Sequence, residues 1–152
     1  MPGSWHDDEF PNLTDADHSI TSPADRRYNC IAWATDDTDA WWWPDRLSIG
    51  KWPAGVPRAE TIDAFLRAYG TLGYSRCANG AHEPGIEKVA IYGVREAGGV
   101  SPTHAARQLQ DGAWTSKLGE FEDIQHSTPE ALEGGIYGQV VAYLQRPRKA
   151  PQ

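Results

Sequence analysis

The sequence predicts an α+β domain whose helices come first and whose strands form a mostly antiparallel sheet. Three observations carry this. The first half contains one clear amphipathic stripe, Ile62, Phe65, Leu66 and Tyr69, at helical spacing. The second half contains short apolar runs broken by Gly and Pro. Between two of those runs lies Asp111-Gly112, a hairpin signal. Helices followed by a meander of strands indicate helices packed on an antiparallel sheet.

In chain order, residues 1–27 are polar and rich in Asp, Ser, Thr and Pro, and read as an irregular N-terminal arm. The folded domain is expected over residues 28–147, with 148–152 as a C-terminal tail. Cys30-Ile31-Ala32-Trp33-Ala34 reads as a short helix capped by Asn29 and ended by Asp36, Asp37 and Asp39. The run Trp41-Trp42-Trp43-Pro44 and a Pro/Gly-rich loop through Pro57 follow. Pro57 and Glu60 suit the start of the second helix, Gly70 and Gly73 its end. Strands are expected at residues 74–77, 89–94, 103–109, 113–118 and 139–144, the last stopping at Pro147.

Composition narrows the function. The 152 residues carry a formal net charge of −7, and Lys and Arg are scattered apart from Arg146, Arg148 and Lys149. A nucleic-acid binder needs a basic face, so no nucleic-acid partner is expected. An anionic membrane surface is disfavoured on the same ground, and no stretch approaches the ~20 apolar residues of a span. Two cysteines, Cys30 and Cys77, are too few for a disulfide framework. With no apolar leader at the N-terminus, the expected location is the cytoplasm, although a product of a specialised secretion system would look the same.

A free Cys in an apolar run is by itself usually a small core residue. Cys30, however, opens a predicted helix, where unpaired N–H groups stabilise a thiolate and can meet an oxyanion. A nucleophile needs a base. His6, His18, His82 and His126 read as solvated surface residues, whereas His104 begins a strand of small residues. With Gln110-Asp111-Gly112 as the hairpin loop, Leu109 pairs with Ala113 and Ala106 with Ser116. His104 and Ser116 then share a face as diagonal neighbours, roughly 7–8 Å apart at Cα. On this register Trp114 and Ser116 lie on the dry face, while Arg107, Thr115 and Lys117 are expected to be wet.

Tyr28-Asn29-Cys30-Ile31 resembles the Tyr-Asp-Cys-Ser block of NlpC-type cell-wall endopeptidases, a branch of the papain-like cysteine peptidases. Thr103-His104-Ala105-Ala106 resembles that family's His block, and its third polar position falls on Ser116. The resemblance implies a papain-like fold and nucleophilic acyl transfer on an amide or peptide bond, with peptide or peptidoglycan-like substrate. It implies Cys30 as nucleophile, His104 as base, Ser116 as orienting residue, and Tyr28 and Asn29 near the oxyanion. Ile31-Ala32 replaces the usual Ser-Gly, and Ser116 is uncharged where His, Asn, Asp or Gln is usual. A hydroxyl orients an imidazole without stabilising its charge, so Asp123 is the alternative third member. The chain also resembles a bacterial family sharing the YNCIAWA, WWWP, HAARQL and WTSKLG blocks, which implies no particular activity.

Trp33, Trp42 and Trp43 are candidate substrate contacts, a stacking platform that core packing would equally explain. No metal or other cofactor is expected, since no zinc-ligand spacing, HExxH or phosphate loop occurs. The alternative to a cysteine hydrolase is a non-catalytic binding or structural domain on the same scaffold, using the Trp cluster as its contact surface.

Overall fold

Strand β3 (Ile86–Glu96) explains the architecture, because it is buried without interruption from Glu87 to Gly93. An amphipathic strand shows alternating burial, so a continuous run means that both faces are covered. Val89 and Ile91 enter one core, and Ala90 and Tyr92 enter a second one behind the sheet. The computed structural model describes residues 18–22, 29–34, 42–45, 50–117, 123–135 and 137–148.

The remaining elements are β1 (His18–Ser22), α1 (Cys30–Ala34), α2 (Ile62–Gly70), β2 (Ser75–Cys77), β4 (Gly99–Gln108), β5 (Trp114–Lys117), β6 (Asp123–His126), a 3-10 turn at Pro129–Leu132, and β7 (Gln139–Pro147). Among the described residues, seven strands form one sheet in the order β1-β6-β5-β4-β3-β7-β2, and every neighbouring pair is antiparallel. The α+β class and the antiparallel sheet are therefore as the sequence predicts. No helix among the described residues is long and apolar enough to cross a membrane.

Two strands escaped the sequence reading. β1 lies inside the arm read as irregular, and β6 lies where no strand was expected. Each has a single strong apolar residue, Ile20 or Ile124, and these two pair with each other. With so little alternation, both owe their extended state to pairing rather than to their own pattern.

The helices behave as their sequences suggest. Asn29 Oδ1 accepts from Ala32 N at 3.1 Å, capping α1. Thr61, rather than Pro57 or Glu60, caps α2 by accepting from Ala64 N at 3.1 Å. Phe65, Ala68 and Tyr69 of α2 are buried with α1 residues Ile31, Ala32 and Ala34 against Val89, Ile91, Ala105, Ala142 and Leu144. The second core joins Ala90, Tyr92, Ala106, Trp114 and Ile124 to Leu132 and Tyr137.

This two-sided burial corrects one expectation. The face of β4 and β5 carrying Arg107, Thr115 and Lys117 is not wet. Trp33 of α1 donates Nε1–H to Thr115 Oγ1 at 3.0 Å, and the Arg107 guanidinium lies 5.5 Å from the Trp33 ring. Thr115 and Lys117 are both buried. A helix of apolar residues covers the face assigned to solvent.

Candidate functional site

The β4–β5 hairpin has the register the sequence predicts. Leu109 N donates to Ala113 O, Gln108 pairs with Trp114 and Arg107 with Thr115. Gly112 takes the left-handed conformation, φ 95°, that the turn requires. His104 and Ser116 consequently share a face, and His104 Nε2 lies 3.0 Å from Ser116 Oγ.

The pair belongs to a longer chain. Ser116 Oγ also lies 2.8 Å from His126 Nε2, and His126 Nδ1 lies 2.8 Å from Thr128 O. A carbonyl only accepts, so His126 Nδ1 carries a proton. With both imidazoles neutral, His126 Nε2 then accepts from the Ser116 hydroxyl, and Ser116 Oγ accepts from His104 Nε2–H. That assignment leaves His104 Nδ1 as a bare lone pair. It is buried and has no hydrogen-bond partner.

Aromatic rings enclose His104. Tyr137 stacks on it with centroids 4.0 Å apart and planes within 6°, and Tyr92 lies at 5.1 Å. Tyr92 is itself anchored by its hydroxyl, which donates to Pro129 O at 2.6 Å. Burial pushes the His104 pKa well below the ordinary value, and nearby His126 adds to the shift. The imidazole is therefore held neutral.

Cys30 does not meet His104. Ala105 packs in the core that holds Cys30, whereas His104 and Ala106 face the opposite core with Tyr92 and Tyr137. Side chains of successive strand residues point to opposite faces, so the sheet lies between thiol and imidazole. The thiol instead lies in the apolar core beneath α1, near the backbone of Ala105 and Ile31. Burial pushes its pKa up to about 11, against the lowering effects of the nearby backbone of Ala105, Ile31 and Cys30 and of the Lys117 charge. The thiol is therefore held protonated at neutral pH. The expected Cys30–His104 pair is thus corrected: Ser116 does hold His104, but on the face away from Cys30.

The other expected positions divide as follows. Asn29 is buried, and its amide is occupied. Nδ2 donates to Trp42 O at 2.6 Å, while Oδ1 accepts from Trp42 N at 3.0 Å as well as capping α1. It staples the Trp segment to α1 and is not free to position a substrate. Trp42 is buried in the core, Trp43 packs edge-on against Phe65 at 5.5 Å, and Trp33 is held by Thr115. These rings are anchors, not an open stacking platform. Asp123 pairs with Lys117 across β6 and β5, one register step from Ser116–Ile124. Tyr28 lies outside the described residues.

Sequence reasoning missed His126, read as a surface residue, and Tyr137. The signal for His126 was its two-residue spacing from Ile124, which puts both on one face once β6 is recognised as a strand. Tyr137 arrives from a loop and carried no such signal.

Over residues 19–145 the sequence matches the family described as a domain of unknown function, DUF7689. The chain belongs to the DUF7689 family. No curated protein and no solved structure matches it. The DUF7689 match takes in most of β1, the α1 cysteine, the hairpin, the His104–Ser116–His126 chain and most of β7.

Proposed function

We propose that this chain is a non-catalytic binding or structural domain. The observation that carries the reading is the separation of Cys30 and His104 by the sheet, with each group satisfied or enclosed on its own side. Nucleophilic catalysis needs thiol and base within hydrogen-bond reach and a thiol that ionises near neutrality. Here the thiol is buried in an apolar core and its pKa is raised. Cys30 then serves as a small core residue under α1, and Ser116 ties two buried histidines together.

One observation favours a second reading, a papain-like cysteine hydrolase acting on an amide or peptide bond. His104 has its Nε2–H fixed by Ser116 and a bare Nδ1, the tautomer a general base requires. That activity would require α1 or β4 to move until Sγ reaches Nδ1.

Iodoacetamide alkylation of Cys30 across pH separates the two, with Cys77→Ser as background so that a single thiol is read. The binding-domain reading expects negligible modification of the folded protein below pH 8 and rapid modification once it is unfolded in urea. Fast modification near pH 6 that His104→Ala abolishes would replace it with the hydrolase.

A further inference from the structure

The Lys88 side chain on β3 is 1% exposed, on the face of the strand that also carries Ala90 and Tyr92. Its ammonium ends against the loop that joins β2 to β3. There Nζ lies 2.6 Å from Glu83 Oε2, 3.1 Å from Asn79 O and 3.4 Å from Asn79 Oδ1. Ala81 N donates to the same Asn79 Oδ1 at 3.0 Å. The loop is pinned to the β4–β5 hairpin, since Gln108 Nε2 donates to Gly80 O at 3.0 Å and His82 Nε2 lies 2.8 Å from Gln110 O. Trp114 and Tyr143 close against Gly80, where a Cβ would stand 2.7 Å from Tyr143 Cε1.

These groups supply each role that an acyl transfer within the chain needs. Lys88 is a buried primary amine, and a desolvated lysine is a nucleophile once it gives up its proton. The Asn79 carboxamide is the acceptor, and its carbon is one bond, about 1.2 Å, from the oxygen that Nζ already contacts. The Ala81 N–H polarises that carbonyl and stands where an oxyanion would form. Glu83 is in reach of the Lys88 proton and half exposed, so it can carry the proton between nitrogens. Holding the loop on the hairpin keeps amine and amide together, which makes the reaction effectively unimolecular.

We infer that Lys88 and Asn79 form a self-modification site that closes an isopeptide bond. Glu83 takes a proton from the Lys88 ammonium, and the free amine attacks Asn79 Cγ. The tetrahedral oxyanion accepts from the Ala81 N–H. Glu83 then gives its proton to Nδ2, the Cγ–Nδ2 bond breaks, and Nζ loses a second proton as the new amide forms. Both protons leave with Nδ2 as ammonium, Glu83 ends as a carboxylate, and nothing is oxidised or reduced. Asn79 is exposed, so the ammonium departs to solvent. The product ties the β2–β3 loop covalently to β3. It uses neither Cys30 nor His104, so it stands apart from the choice between binding domain and hydrolase.

The test is mass spectrometry of the full chain, intact and after trypsin, as purified and after incubation at neutral pH either folded or in urea. The folded chain should lose the mass of one ammonia. Trypsin should then fail to cut after Lys88, so that the peptide from Cys77 to Arg95 carries the loss. The chain kept in urea should not react. Glu83→Gln should slow the loss about a hundredfold, with circular dichroism reporting that its fold is kept. An unchanged mass in the folded parent would overturn the proposal whatever the variant does. Loss of ammonia with Lys88 still cleavable would mean a succinimide at Asn79-Gly80, and the mass of an Asp in place of Asn79 would mean hydrolysis. Either result overturns the proposal, as would equal rates in the parent and a folded Glu83→Gln.

Discussion

Ser116 Oγ stands 3.0 Å from His104 Nε2 and 2.8 Å from His126 Nε2, so one buried hydroxyl satisfies a donor on one imidazole and an acceptor on the other. Removing a shared partner strands both groups. A buried polar group left unpaired costs about 1–3 kcal/mol. Ser116→Ala is therefore expected to lower stability by about 2–4 kcal/mol in urea denaturation, although it deletes a single oxygen. A loss below about 0.5 kcal/mol, the range of ordinary surface changes, would mean that the hydroxyl does not bridge the pair.

The same burial predicts a pH dependence with a definite sign. His104 is neutral in the folded chain because burial and His126 lower its pKa well below 6.5. In the unfolded chain it titrates near 6.5. Above that value both states hold a neutral ring and His104 contributes no slope. Below it the unfolded state takes up a proton that the folded state refuses, so stability falls as pH falls. The slope approaches about 1.4 kcal/mol per pH unit for one proton. It is cleanest between about pH 6.5 and 5, before most carboxylates titrate. His104→Gln should flatten the slope in this window by about one proton's worth. An unchanged slope would show that His104 titrates alike in both states.

Much of this was legible locally. The α2 stripe, the Asn29 cap and the β4–β5 register follow from spacing and turn chemistry, and Asp111-Gly112 alone decided that His104 would meet Ser116. Which face of the hairpin received α1 was not legible. Lys117 and Arg107 look like solvent residues, yet α1 covers their face, and that one inversion moves Cys30 to the far side of the sheet. The strand period fixes which residues share a face but not which layer lies on it. His126 was hidden for a related reason, because β6 gains its strand character from its neighbours.

Burial also separates two kinds of ion pair. Glu87 is buried and accepts from the Tyr74 hydroxyl at 2.5 Å and from Arg146 Nη2 at 3.1 Å, while Arg146 also donates to Leu72 O and stacks 4.3 Å from the Tyr74 ring. Arg146→Ala leaves the buried carboxylate with only the longer Arg148 pair, at 3.7 Å, and is expected to cost about 3 kcal/mol. The i,i+4 pair Asp63–Arg67 on α2 is equally short at 2.9 Å, but its side chains are 71% and 63% exposed. Asp63→Asn should change stability by less than about 0.5 kcal/mol. Paired urea titrations check the contrast, and equal effects would contradict it.

Gly138 tests how closely β7 must pass β3. Its φ is 75°, and a Cβ there would run into the Gly93 carbonyl oxygen and lie 2.8 Å from Val94 Cγ1. Neither neighbour is the loose end of a long side chain, since one is backbone in a paired strand and the other is a branched methyl. Gly138→Ala combines left-handed strain, about 1–3 kcal/mol for a non-glycine residue, with steric overlap. The expected loss is therefore at least about 2 kcal/mol, with the Tyr137 loop displaced from His104. Gly98 is the control, because a Cβ there meets nothing within 4 Å and its φ is not positive. Gly98→Ala should fall within about 0.5 kcal/mol of the parent. Thermal unfolding of the two variants decides the matter: similar midpoints would show that β7 has room to move away from β3, and that the stacking of Tyr137 on His104 does not depend on the turn at Gly138.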